Sequence, residues 1–151
     1  MKKIFIYYSL TGNGDTVSNY LKDKGIEVKR IITNEPLPKN FILRIMSGGY
    51  KAMIQYKDKL DDFNPDISEY DEVIIGSPIW NSRLSSPINT VLDKLNLDNK
   101  KVTFVLYSGS GESKWATKRI KKEYPEAKII DIKNPLKNKE DMVSKLKDCW
   151  N

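Results

Sequence analysis

Three short stretches carry hydroxyls, amides, glycines and one tryptophan in a pattern suited to a flat, phosphorylated ligand. They read Ser9-Leu10-Thr11-Gly12-Asn13-Gly14-Asp15-Thr16, Gly76-Ser77-Pro78-Ile79-Trp80-Asn81 and Ser108-Gly109-Ser110-Gly111. The first places two hydroxyls, an amide and glycine-freed backbone N–H groups just ahead of a helical pattern. Such a cup holds a phosphate through N–H groups and the helix dipole, with no lysine or arginine required. It is neither a Walker A loop, which needs Gly-Lys-Ser/Thr, nor a dinucleotide GxGxxG. A glycine turn with an N-cap from Asp15 or Thr16 accounts for the same residues. In the second stretch, Trp80 follows the rigid Pro78; its indole either stacks on a heteroaromatic ring or packs on a neighbouring helix. The third stretch lets backbone approach closely, and by itself it is only a turn.

Composition narrows the chemistry further. The chain has no histidine and a single cysteine, Cys149. An intramolecular disulfide, a Cys/His zinc site and a histidine-based triad are therefore excluded. Chemistry must come from a cofactor, or from carboxylates, hydroxyls and lysines. Cys149, beside Trp150, reads as a helix-face residue and not a redox thiol. The net charge of +6 is carried almost wholly by lysine, with arginine only at positions 30, 44, 83 and 119. That is the signature of a solvated basic surface, not of a nucleic-acid reader built on arginine forks. No apolar run approaches the roughly 20 residues of a membrane span, and Met1–Tyr8 reads as a strand and not an export signal. The expectation is a cytoplasmic protein, without nucleic-acid or membrane partners, and monomeric.

Elements that position these stretches follow from periodicity. Lys3 to Tyr8 is a strand; Val17, Tyr20 and Leu21 mark a helix ending near Gly25; Ile26 to Ile32 is a second strand. Pro36 and Pro38 break the chain. Asn40 then caps a helix whose apolar positions Ile42, Ile45, Met46, Met53, Tyr56 and Leu60 keep helical spacing. Inside it, Gly48-Gly49 implies a kink or a close approach to a neighbour. Asp71 to Gly76 is a buried strand, Ser86-Pro87 opens a helix, Lys101 to Tyr107 is a fourth strand and Glu112 to Tyr124 a helix. Ala127 to Ile132 and Lys139 to Trp150 complete the series. Five strands alternating with five helices predict one α/β domain over residues 1–151, with a doubly wound, five-stranded parallel sheet in the order 2-1-3-4-5. Ligands bind such sheets where the winding reverses, beyond strands 1 and 3. The three stretches leave strands 1, 3 and 4, so all converge there.

Together, Tyr-Ser-x-Thr-Gly-Asn-Gly after strand 1, Gly-Ser-Pro-Ile-Trp after strand 3 and Ser-Gly-Ser-Gly after strand 4 resemble the flavodoxin family, and the direct step from helix 4 to strand 5 is similar to its short-chain type. The resemblance implies FMN, with its phosphate on Ser9, Leu10, Thr11, Gly12, Asn13 and Gly14, and its ring between Ser77-Pro78-Ile79-Trp80-Asn81 and Ser108-Gly109-Ser110-Gly111. Gly14 stands where flavodoxins usually place a threonine, which removes one hydroxyl unless Thr16 replaces it. The third stretch lacks the stacking tyrosine of many flavodoxins, although Tyr107 is adjacent and Trp115 is near.

The resemblance implies an electron carrier, the first expectation; the alternative is an FMN-dependent NAD(P)H or quinone oxidoreductase, favoured by the missing third-loop aromatic. A receiver module on the same fold requires acidic residues after strand 1 and an aspartate ending strand 3, where Tyr8-Ser9 and Gly76-Ser77 stand. The acidic cluster Asp58, Asp61, Asp62, Asp66, Glu69, Asp71 and Glu72 precedes strand 3 and is expected at the far end of the sheet. Lys39, Arg44, Arg83 and Lys114 face Asp15 and Glu112 on the flavin-side rim, which implies acidic redox-partner proteins.

Overall fold

The computed structural model describes residues 1–35 and 38–150, so the expected break at Pro36 lies outside the described residues. In chain order the elements are β1 (Lys3–Tyr7), α1 (Asn13–Asp23), β2 (Glu27–Arg30), β3 (Ile32–Thr33), α2 (Phe41–Met53), β4 (Leu60–Asp61) and β5 (Glu72–Trp80). There follow β6 (Arg83–Leu84), α3 (Ser86–Lys94), β7 (Lys101–Ser108), α4 (Lys114–Glu123), β8 (Lys128–Lys133) and α5 (Lys139–Leu146), with a 3₁₀ turn at Lys147–Cys149.

Five strands pair in parallel in the order β2-β1-β5-β7-β8. Counting these long strands alone, that is the predicted 2-1-3-4-5 order of a doubly wound α/β sheet. Alternation along β1 sends Phe5 and Tyr7 to one face, with Val17 and Leu21 of α1 and Met142 and Leu146 of α5. Ile4, Ile6 and Tyr8 go to the other, with Ile88 and Val91 of α3 and Ala116 and Ile120 of α4. Covering both faces explains the continuous apolar runs Val73–Ile75 in β5 and Phe104–Tyr107 in β7. Among the described residues, no helix is long and apolar enough to cross a membrane.

Three differences from the sequence reading bear on the site. First, α2 ends at Met53, not Leu60: Gln55 takes φ of 53° and breaks the helix, although Tyr56 and Leu60 keep helical spacing. Second, the stretch Ser77–Trp80 is not a loop. It continues β5, which turns back through Asn81 and Ser82, at φ of 50° and 61°, into the antiparallel β6. A two-residue turn with two positive φ values matches the right-handed twist of the hairpin. Third, the predicted second strand divides into β2 and a short β3 that pairs with β4.

Asp58 also departs from the expected acidic cluster. It is buried between α2 and α3, where it accepts from Lys51 Nζ at 2.9 Å and from Ser86 Oγ at 2.7 Å. Glu72, at the start of β5, is buried beside Lys3 Nζ at 3.3 Å, at the end of the strand opposite Trp80.

Candidate functional site

A cleft of about 540 Å³ opens where the sheet order reverses, between the loop after β1, the end of β5, the end of β7 and helix α2. That volume lies within the range of small-molecule and cofactor sites, roughly 300–1,000 Å³. Of the sequence-predicted residues, Leu10, Thr11, Asn13, Pro78, Ile79, Trp80, Asn81, Ser108 and Gly109 line it.

The loop after β1 is built to leave donors free. Gly12, at φ of 95°, is the N-cap of α1 and supplies no side-chain cap, because the left-handed turn there excludes most residues with a Cβ. Among the described residues, the amides of Thr11, Gly12, Asn13 and Gly14 meet no acceptor, whereas the Asp15 amide donates to Ser9 Oγ at 3.4 Å. Orphan N–H groups at a helix N-terminus, beside a cleft, are the donors that bind phosphate. The simpler turn-and-cap alternative fails here, since neither Asp15 nor Thr16 caps the helix. Asp15 instead accepts from Arg30 Nε at 2.9 Å and Tyr7 Oη at 3.0 Å, and the Thr16 hydroxyl donates to the Gly12 carbonyl at 2.9 Å. Thr16 therefore does not replace the hydroxyl missing at position 14. Burial pushes the Asp15 carboxyl up, but the bonds from Arg30 and Tyr7 outweigh it and hold the pKa below its ordinary value. The carboxylate next to the loop is thus ionised and countered by Arg30.

Gly14 has a packing reason. A Cβ added there would lie 2.5 Å from the Tyr107 hydroxyl and 2.9 Å from Ser9 Cβ. Tyr107 is buried, its hydroxyl donates to the Tyr8 carbonyl, and burial raises its pKa well above the ordinary value. The space of the usual threonine is filled by a phenol from β7, which lines the base of the cleft instead of stacking at its mouth.

Of the two readings of Trp80, the structure shows the packing on a helix. Its ring packs so closely on α2 that a Cβ at Gly48 would meet the indole at 3.1 Å, and its edge meets Tyr8 with centroids 5.9 Å apart. It still lines the cleft. The Gly48-Gly49 pair is thus the close approach, one of the two outcomes expected of it.

Other expected residues lie elsewhere. Ser9, Gly12, Gly14 and Thr16 shape the loop without lining the cleft. Ser77 is fully buried and bonds Ser85 at the start of α3, accepting from its amide at 3.1 Å. Ser110 and Gly111 also fall outside the lining; Ser110 Oγ and Ser108 Oγ accept from the amides of Glu112 and Gly111 and close the loop on itself. Trp115 does not reach the cleft, and Arg83 and Lys114 gather over its ring at 5.4 and 5.5 Å. Of the expected basic rim, Arg44 lines the cleft. Burial raises the Cys149 thiol to about 11, consistent with an unreactive packing residue.

The wall that sequence reasoning missed is α2, which contributes Phe41, Arg44, Ile45, Gly48 and Gly49. Its signal was present in the sequence: Phe41, Ile42, Leu43, Ile45 and Met46 put apolar residues on more of the helix than one core-facing stripe requires.

A family model described as NADPH-dependent FMN reductase matches residues 1–136. No curated protein sequence matches the chain. Among solved structures, a protein of Bacteroides eggerthii designated a flavoprotein is 21% identical, with 97% of this chain and 96% of that chain covered and a TM-score of 0.73. A flavoprotein of Lactobacillus acidophilus, solved in complex with FMN, is 20% identical over 92% of this chain and 97% of that chain, with a TM-score of 0.68. Oxidised flavodoxin 1 of Bacillus cereus is 16% identical over 97% and 93%, with a TM-score of 0.52. At these identities the likeness is one of fold, and that fold is flavodoxin-like.

Proposed function

The chain belongs to the NADPH-dependent FMN reductase family, and we propose that it binds FMN in the cleft and acts as an FMN-dependent oxidoreductase that takes electrons from NADPH. The observation that carries this reading is an apolar cleft, walled by Trp80, Phe41 and Ile45, that meets the start of α1, where Thr11 and Asn13 line the cleft, Gly12 and Gly14 adjoin it, and the amides of all four meet no acceptor among the described residues. Family membership favours this oxidoreductase reading, the alternative drawn from the sequence, over the electron carrier. The resemblance to flavodoxins then holds at the level of fold.

The donor set fits FMN. Amides of Thr11 to Gly14 and the Thr11 hydroxyl would hold the phosphate, and Arg30 keeps the Asp15 charge from opposing it. Ile79, Trp80, Phe41 and Ile45 provide an apolar lining that excludes water from a flat ring, while the polar groups of Asn81, Ser108 and Gly109 offer bonds to its edge. FMN supplies the electron exchange when bound, and the protein sets affinity, orientation and access. Anaerobic mixing of FMN-loaded protein with NADPH tests the reading. Rapid bleaching of the visible flavin band is expected; a flavin that NADPH leaves oxidised, but a reduced redox protein bleaches, would return the chain to the carrier class.

A further inference from the structure

One step along the β5–β6 hairpin from the cleft lies a second groove, of about 370 Å³. Its walls include Met53 at the end of α2, Arg83 of β6, and Trp115, Lys118 and Lys122 of α4. Groove and cleft share two elements. Asn81 of the hairpin faces the cleft and Arg83 the groove; Gly49 of α2 lines the cleft and Met53 the groove, about one helical turn further on. The hairpin is fastened to α4, because the Ser82 carbonyl accepts from the Ala116 amide at 2.9 Å.

The groove is charged in a way that the protein alone does not balance. Lys114, Lys118 and Lys122 recur every fourth residue along α4, so like charges stack on one helix face, an arrangement that destabilises a helix unless an anion joins it. None of the three, nor Arg83, pairs with a carboxylate among the described residues, and Glu123 at the rim is taken by Arg119 at 3.1 Å. In their midst Trp115 is 44% exposed, with Arg83, Lys114 and Lys118 cations 5.4 to 5.5 Å from its ring centroid. A phosphate would draw the lysines off the indole and leave its face to a base.

We propose that this groove holds the 2′-phosphoadenosine end of NADPH, with the adenine against Trp115 and the 2′-phosphate on Lys118 and Lys122, so that the nicotinamide end reaches the adjoining cleft. The inference rests on the NADPH reading above and adds to it a site and a reason to prefer NADPH over NADH, which lacks the 2′-phosphate.

Calorimetric titration with adenosine 2′,5′-bisphosphate and with 5′-AMP tests it, on the FMN-loaded protein and again without FMN. The bisphosphate is expected to bind at least about tenfold more tightly than AMP, since one added charge-assisted contact is worth a factor of that order. The double variant Lys118→Ala/Lys122→Ala should lose that preference while its affinity for FMN stays the same. Equal binding of the two nucleotides, or a preference that survives in the double variant, overturns the groove. If that happens while NADPH still bleaches the flavin, the oxidoreductase reading stands without it. Failure to take up FMN removes the reading instead.

Discussion

Helices α1 and α2 flank the same cleft but are anchored by different means. α1 buries Val17 and Leu21 completely in the sheet's apolar core. α2 buries only Gly48 and Ala52, and leaves Phe41, Ile42, Leu43, Ile45 and Met46 more than half exposed. Beyond the contact of Gly48 with Trp80 and the burial of Ala52, what holds α2 is polar and sits near its C-terminal end: Lys51 Nζ donates to Glu35 at 2.8 Å and to Asp58 at 2.9 Å, and Asp58 ties on to Ser86 of α3. At its N-terminal end the Asn40 side chain accepts from the amides of Ile42 and Leu43. The α1 side of the cleft is therefore fixed by core packing, while the α2 wall rests on caps, one ion-pair network and the contact of Gly48 with Trp80. A cleft built so can keep one end of a ligand rigid and adjust around the other.

Leu21→Ala should have the largest effect, a loss of about 4 kcal/mol in urea denaturation, because it opens a cavity in a sealed core. A loss under about 1 kcal/mol would mean that α1 is no better anchored than α2. Next, Lys51→Met should cost about 3 kcal/mol by stranding two carboxylates, Glu35 and Asp58, with little exposure to water. Hydrogen exchange should show α2 amides losing protection while those of α1 keep theirs; loss in both helices together would show that the two are not independently held. Gly14→Thr should cost about 2 kcal/mol through the clash with Tyr107, and Tyr107→Phe should recover part of it in a double-mutant cycle. Additive losses would place the strain elsewhere.

Acid should act on α2 first. Lys51, opposed only in part by burial, together with bonds from Lys59 and Tyr56, lowers Glu35 from 4.5 to about 2. A depressed carboxyl stabilises the fold above its unfolded pKa, and that contribution is lost as pH falls through the folded value. Protection of α2 should therefore fall between about pH 4.5 and 2, and Glu35→Gln should remove that step. An identical acid response in the variant would assign the step to another group. The smallest effect belongs to Ile42→Ala, within about 0.5 kcal/mol, since the side chain is 66% exposed. A larger loss would show that this face of α2 is covered in solution.

The same contrast explains what could be read from the sequence. β1, α1, β5 and β7 were legible because their residues alternate or repeat against a core that demands it. The first loop was legible as a turn at a helix start because its glycines, Gly12 at positive φ among them, mark one. Gly14 was misleading: it looked like a lost hydroxyl, and only the fold brings Tyr107 into that space. β6 escaped notice because it has two residues and its turn, Asn81-Ser82, carries no glycine to announce positive φ. The end of α2 was hidden by Tyr56 and Leu60, whose spacing is helical by coincidence. Its role as a cleft wall was hidden because exposed apolar residues and core residues look alike in a sequence.

The Thr11–Gly14 amides are the proposed phosphate site. Parallel titrations with FMN and with riboflavin, which differ by that phosphate, test it most directly. FMN should bind at least roughly 100-fold more tightly, the worth of two or so charge-assisted hydrogen bonds. Equal affinities would contradict the account, because the ring would then be held without the loop.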